Sequence, residues 1–224
     1  MPAANGILAA FAAFLYTSAP GSPGVAPFTV HVNLEFDCAL RPHVVERIVE
    51  DEATAIWRAY GVQLLWSENV PDGAMKLHVI VTAPDRDALL PIGVPAQLGK
   101  TRIDAEGIVQ GPIRIAFRVI KSIVNRQSGS FSLVSDRELG RALGRVLAHE
   151  IGHALLGYPA YHDRRGLMRA ELPPRDLAIA DRAGVRLSDR STKRLRDRLA
   201  RLTSDRCSEA VRCVGLSWSG GPGW

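Results

Sequence analysis

The 224-residue chain has 46% apolar and 23% charged residues, which is the composition of an ordinary water-soluble domain with one substantial core and appendages. Its formal net charge of +5 is local, because the segment from Arg182 to Arg206 holds nine Lys and Arg against three Asp and the rest sums to about −1. No aromatic residue interleaves with these arginines, so we expect no nucleic-acid partner.

The first segment in chain order is an apolar run from Ile7 to Tyr16, which is too short to span a bilayer. Small residues and a stretch rich in Pro and Gly follow it as far as Pro27. This order is typical of a signal peptide and its cleavage zone, although no Lys or Arg precedes the run. We therefore expect residues 1–27 to be a leader, the protein to be exported (secreted or periplasmic), and no stable membrane span. The alternative is an apolar leader that is disordered or packed on the surface.

The residues that follow the leader show a pattern that predicts an α/β (α+β) fold. Phe28 to Phe36 alternates apolar with polar residues, which predicts a strand with one buried face. A helix follows, with Pro42 near its first turn and Gly61 as its stop. Further strands are predicted at Val62–Trp66, Leu77–Thr82 and Ile113–Ile120. The stretch from Pro84 to Pro112 is rich in Pro and Gly and predicts loops with one short edge strand.

A second helix is predicted to begin at a Ser-x-x-Glu capping box formed by Ser135 and Glu138. Apolar residues then keep helical spacing as far as Gly157, which should end the helix. The pentapeptide His149–His153, with the sequence HEIGH, falls late in this helix, and His162 follows just past the glycine.

Two histidines at this spacing, with a glutamate after the first, are a zinc hydrolase signature. On an α-helix His149 and His153 lie about 40° apart around the axis and roughly 6 Å apart along it, so both imidazoles can bind one tetrahedral ion. Glu150 can then reach the open fourth position without being a ligand. The pentapeptide alone arises by chance in roughly one such chain in a hundred. The alternative is a pair of surface histidines on an amphipathic helix.

The sequence resembles the metzincin zinc peptidases in their compact, matrixin-like form. It resembles more closely a group of small bacterial metallopeptidases that read HE-x-x-H-x-x-x-G…H…G-[IL]-M-R-A. The residues that carry the resemblance are His149, Glu150, His153, Gly157, His162 and Gly166-Leu167-Met168. They cover about twenty residues, and Gly157 and His162 stand four and nine residues after His153, against three and six in the metzincin consensus.

The resemblance implies a metzincin-like mixed, twisted sheet with a backing helix and an HExxH active-site helix, over residues 28–188. It implies that His149, His153 and His162 bind Zn²⁺ and that Met168 forms a structural Met-turn beneath the metal. For such a turn we expect Gly166 to supply any positive φ that is needed, Leu167 and Met168 to point inwards, and Asp163-Arg164-Arg165 to face solvent. The implied activity is that of a zinc metalloendopeptidase, with Glu150 as general base for the water that attacks a peptide or protein substrate. A catalytically inactive zinc-binding module of the same fold is the alternative. A solvated loop histidine at His162 and an ordinary core methionine at Met168 also remain open.

We expect residues 189–224 to form a small C-terminal subdomain, a basic helix followed by a flexible tail from Ser217. The apolar residues of this helix at helical spacing are Leu195, Leu199 and Leu202. A helix packed on the body is favoured over one that binds an anionic surface. Cys207 and Cys213 could close a small loop in an oxidising compartment, leaving Cys38 free.

Overall fold

The computed structural model describes residues 27–37, 43–67, 69–71, 74–83, 97–127 and 135–215, with side chains as far as residue 204. The strands are β1 (Phe28–Phe36), β2 (Val62–Trp66), β3 (Met75–Thr82), β4 (Gly99–Lys100) and β5 (Ile113–Ala116). The α-helices are α1 (His43–Arg58), α2 (Phe117–Gln127), α3 (Asp136–Leu156), α4 (Pro174–Ala178) and α5 (Asp189–Gly215). The expected leader up to residue 26, Cys38, the side chains of Cys207 and Cys213, and the tail from Ser217 lie outside the described residues.

The five strands form one mixed sheet in the order β2-β1-β3-β5-β4. The four longer strands pair in parallel, and only the two-residue β4 runs antiparallel, against β5 at the edge. Parallel neighbours need a crossover connection, which α1 supplies between β1 and β2. The expected mixed α/β architecture is therefore confirmed, as is the short edge strand within the stretch from Pro84 to Pro112.

The strand predicted at Ile113–Ile120 is wrong in its second half. Strand β5 ends at Ala116, and the chain passes at once into α2. Ile120 and Val124, four residues apart, are the fully buried residues of this helix, which is helical spacing. The apolar and polar alternation at the start of the segment fits a strand, and it continues by chance into the first turn of the helix.

Helices α1 and α3 pack along each other. Two glycines of α3 allow this close approach, since a Cβ on Gly144 would lie 2.9 Å from the Val49 carbonyl oxygen and one on Gly140 3.2 Å from that of Val45. Neither distance leaves ordinary van der Waals room, so a larger residue would push the helices apart. Near the end of α1 the same packing reaches the HEIGH pentapeptide, because Nε1 of Trp57 donates to the carbonyl of Ala148 at 3.2 Å.

A fully buried arginine, Arg145, ties three parts of the chain together. Its Nε donates to Oε1 of Glu52 on α1 at 2.8 Å, and its two other nitrogens donate to the carbonyls of Asp176 at 2.7 Å and Asp181 at 2.9 Å. Arg182 donates to the other Glu52 oxygen at 2.7 Å. The buried charges are therefore paired and hydrogen-bonded, which is the condition under which burial is tolerated.

Helix α5 packs on the same core as the sheet. Leu195 is buried, and Leu199 and Leu202 are half-buried against the core, so the expected packing of the helix on the body is confirmed. Among the described residues, no helix combines the length and the apolar character that crossing a membrane requires.

Candidate metal centre

Helix α3 carries the motif in its last two turns, and its two ends are the predicted ones. The N–H of Glu138 donates to the Ser135 hydroxyl at 3.2 Å, and the Ser135 N–H donates to the Glu138 carboxylate at 3.1 Å. At the other end the N–H of Gly157, which has a φ of 70°, donates to the carbonyl of His153 at 2.9 Å. The capping box and the glycine stop are both confirmed, so the motif lies in a helix with defined ends.

His149, His153 and His162 come together at the end of α3. Each offers a ring nitrogen, and these atoms lie within 4.8 Å of one another. Nε2 of His149 and Nε2 of His153 are 3.1 Å apart. The ring of His162 has its centroid 4.9 Å from that of His153 and 5.6 Å from that of His149. The segment that follows α3, residues 157–163 (the return loop), thus brings His162 close enough to the other two histidines for one metal ion.

The spacing and the protonation state of these nitrogens fit a metal ion. Two nitrogens at about 2.0–2.1 Å from a tetrahedral ion lie roughly 3.3 Å apart, close to the spacing of the two Nε2 atoms. Burial lowers the pKa of His149 to about 4, opposed in part by its bond to Leu167, and burial with the neighbouring histidines lowers the pKa of His153 to about 3. Both rings are therefore neutral at pH 7, which is the form that binds metal.

Glu150 is buried beside the two histidines of the helix. Its Oε2 accepts a hydrogen bond from the hydroxyl of Thr101 at 2.6 Å, and the same hydroxyl lies 3.2 Å from the Glu150 carbonyl oxygen. Burial raises the pKa of Glu150 to about 7, although the Thr101 hydrogen bond acts in the opposite direction. A carboxylate with a pKa near neutrality can take up and return a proton at little cost in free energy.

The backbone of strand β4 passes directly over Glu150. A Cβ built on Gly99 would overlap the Glu150 side chain, with its Cγ only 2.6 Å away, so the strand can approach this closely because residue 99 is glycine. The sequence predicted the edge strand but not this contact, nor the role of Thr101. Both residues follow a stretch without regular pattern, and no local signal links them to a helix some fifty positions later.

A cleft of about 640 Å³ opens beside the three histidines, a volume in the usual range for ligand sites. Strand β4 and Thr101 line one side, and the segment from Arg169 to Leu172 lines another. Glu150 lines the cleft together with the histidines. The carboxylate and the candidate ligands therefore face a common open space.

Met168 and Leu167 lie beneath the helix and are fully buried, as the sequence predicts. A Cβ built on Gly152 would overlap the sulfur of Met168, so the methionine packs against the residue before His153. The Leu167 carbonyl oxygen lies 2.6 Å from Nδ1 of His149. Gly166 has a φ of 76° and supplies the predicted positive φ of the turn. This turn therefore contacts the motif from below.

The exposure of the polar residues in the same turn agrees only in part with the prediction. Arg164 and Arg165 are exposed as expected, but the expectation that Asp163 faces solvent is wrong. Its carboxylate is half-buried and accepts hydrogen bonds from the hydroxyls of Ser188 and Ser191. Burial alone would raise the pKa of Asp163, but hydrogen bonds from the two serines, from Tyr161 and from the Arg164 backbone together hold the pKa below its ordinary value. Through these hydrogen bonds Asp163 attaches the return loop to the start of α5.

No protein-family model matches this sequence, and no curated protein matches it either.

Proposed function

We propose that this protein is a zinc-dependent metallopeptidase of the metzincin type. In this proposal His149, His153 and His162 hold the ion, and Glu150 is the general base. The observation that carries it is the convergence of three histidine nitrogens next to a buried carboxylate at the wall of an open cleft.

The chemistry follows from these residues. A zinc ion held by these three neutral imidazoles would polarise a carbonyl group and lower the pKa of a bound water towards about 7. Glu150 takes a proton from the attacking water and returns it to the leaving amine. Because Thr101 holds Oε2 of Glu150, the other oxygen is left for the proton transfer. The hydroxyl also keeps the carboxylate in one orientation between the two steps.

The sheet edge supports a peptide as the substrate. Strand β4 lies beside the cleft at the edge of the sheet, and within the part of the chain that the structure describes it pairs only with β5. An extended peptide can add to such an edge by backbone hydrogen bonds. Leu98, Ile123 and Val146 add apolar surface to the cleft, which suits an apolar side chain next to the cleaved bond.

The test combines metal content with hydrolysis. We expect about one zinc per chain by mass spectrometry of the metal, and cleavage within a mixed peptide library. Glu150→Gln should retain zinc and lose about 10²–10⁴ in rate, since it removes general-base catalysis. Glu106→Gln, which neutralises an exposed carboxylate outside the cleft, is the matched control and should change neither. Zinc without hydrolysis would favour a zinc-binding module, and absence of zinc would refute both functions.

A further inference from the structure

The return loop, residues 157–163, carries His162 between the end of α3 and the turn at Gly166. His162 is exposed, whereas His149 and His153 are buried on the helix. The two helical histidines take their position from α3, and His162 must take its position from whatever holds the loop. Three sets of side-chain contacts hold the loop from α5 and from Ser188, the residue directly before that helix.

The first set belongs to Arg194. Its Nε donates to the carbonyl of Leu156 at 3.0 Å, and its Nη2 lies 3.3 Å from the carbonyl of Gly157, 3.1 Å from that of Tyr158 and 3.1 Å from that of Pro159. Carbonyls at the end of a helix lack partners within the helix and carry its negative dipole end. The guanidinium group of Arg194 therefore donates hydrogen bonds both to the carbonyls at the end of α3 and to those in the first half of the loop.

The second and third sets flank the histidine itself. On one side, the ring of Tyr161 lies under the guanidinium groups of Arg190 at 5.0 Å and Arg194 at 5.1 Å, which is cation–π distance. On the other side, the carboxylate of Asp163 accepts from the hydroxyls of Ser188 and Ser191. Both chain neighbours of His162 are thus attached to α5.

We propose that α5 positions the third metal ligand, with Arg194 as the principal positioning residue. This inference rests on the metal site of the proposed function. Its physical basis is loop length, because the ordering of a longer loop costs more conformational entropy and needs contacts to offset it. The contacts with α5 supply that compensation. They keep the His162 ring beside the other two before any ion binds.

The direct test is zinc affinity, measured by competition with a chromophoric chelator. Arg194→Met retains the aliphatic length of the side chain and removes its hydrogen bonds. We expect a loss of about 10–100-fold in affinity, the range for groups that orient metal ligands. Arg196→Met, at an exposed position of the same helix, is the matched control and should bind zinc as the unaltered protein does. Equal affinity in Arg194→Met and the unaltered protein would overturn the inference.

A double-variant cycle separates positioning from general loss of structure. With His162→Ala in place there is no third imidazole to position, so adding Arg194→Met should change zinc affinity by no more than about twofold. The Co²⁺ absorption spectrum of Arg194→Met should likewise move towards that of His162→Ala. If Arg194→Met weakens zinc equally with and without His162, it acts through the fold as a whole and the inference is wrong.

A second pair of changes covers the case in which Arg194→Met does not fold. Ser188→Ala combined with Ser191→Ala removes the two hydroxyls that hold Asp163, and it should weaken zinc in the same His162-dependent way. Hydrogen exchange in the metal-free protein tests the loop without any ion: the amides of residues 157–163 should exchange faster in Arg194→Met and unchanged in Arg196→Met. Equal exchange would overturn the inference. Failure of the unaltered protein to bind zinc would refute the proposed function alone.

Discussion

Nδ1 of His149 donates a hydrogen bond to the backbone carbonyl of Leu167, 2.6 Å away. A carbonyl oxygen can only accept, so this bond places the proton of the neutral ring on Nδ1 and leaves the Nε2 lone pair free. Nε2 is the atom that faces His153 at 3.1 Å. The turn before Met168 therefore sets both the tautomer and the orientation of the first histidine of the motif.

The first prediction concerns Met168. Met168 fills buried space beneath Gly152 and supplies no hydrogen-bond donor. Met168→Leu should therefore retain zinc and lower the free energy of unfolding by less than about 1.5 kcal/mol. Met168→Asp buries an unpaired charge and should unfold the turn and release the metal. Thermal unfolding with zinc titration measures both. Equal behaviour of the two variants would show that the residue does not support the site.

The second prediction uses the close approach of β4 to Glu150. In Gly99→Ala the added methyl group overlaps the Glu150 side chain and must displace it. We expect kcat to fall by at least tenfold, since a base shifted by a fraction of an ångström loses its alignment. Zinc content should stay at the level of the unaltered protein. Loss of zinc together with activity would mean that the change disrupts the ligands rather than the base.

The third prediction concerns the hydroxyl of Thr101. Thr101→Val conserves shape but removes the hydrogen bond to the Glu150 carboxylate. A hydrogen bond to a charged group contributes about 1.5–3 kcal/mol, so kcat should fall by about 10–100-fold. Thr101→Ser keeps the hydroxyl and should retain most of the activity. Steady-state kinetics on a cleaved peptide decide the matter, and two equally active variants would contradict it.

The fourth prediction concerns stability away from the metal. Arg145→Met leaves the Glu52 carboxylate buried with only Arg182 as a charged partner, and it leaves the carbonyls of Asp176 and Asp181 without this donor. Removing one partner of a buried ion pair costs about 3–5 kcal/mol. Arg137→Met, at an exposed position of the same helix, should cost under about 0.5 kcal/mol. Urea unfolding of the two variants provides the comparison.

The fifth prediction comes from the sequence alone. The apolar run from Ile7 to Tyr16 and the small residues after it predict that export removes the leader, so that the mature chain begins shortly before Phe28. Mass spectrometry of the intact protein from its native host would give the mature N-terminus. A chain that retains Met1 in a cytoplasmic fraction would refute both cleavage and export.

Local signals made helix α3, and the positions of His149 and His153 on it, predictable. A capping box, an apolar period and a glycine stop all lie within the helix or next to it, so the pattern determines its ends without knowledge of the rest of the fold. The strand predicted at Ile113–Ile120 was wrong in its second half because its few alternating residues fit a strand as well as the start of a helix.

Contacts between distant residues were not predictable. Thr101 meets the Glu150 carboxylate across 49 positions, and Arg194 meets the Leu156 carbonyl across 38. In the sequence, Arg194 is one of many arginines in a basic helix, and nothing local separates it from the exposed Arg196. Only the docking of α5 against α3 makes that distinction, since it turns one guanidinium inwards and leaves the other in solvent.

Strand β4 contains only Gly99 and Lys100, and this brevity bears on self-association. An open sheet edge is a template for unwanted pairing between copies of a chain, which proteins limit by short edge strands and by lysine on the edge. Two residues offer few backbone groups to a second copy. If two copies paired at this edge, their exposed Lys100 side chains would repel each other. Both features therefore disfavour pairing of this edge with a second copy of the chain. A peptide bound as the proposed function requires would, in contrast, also contact the cleft.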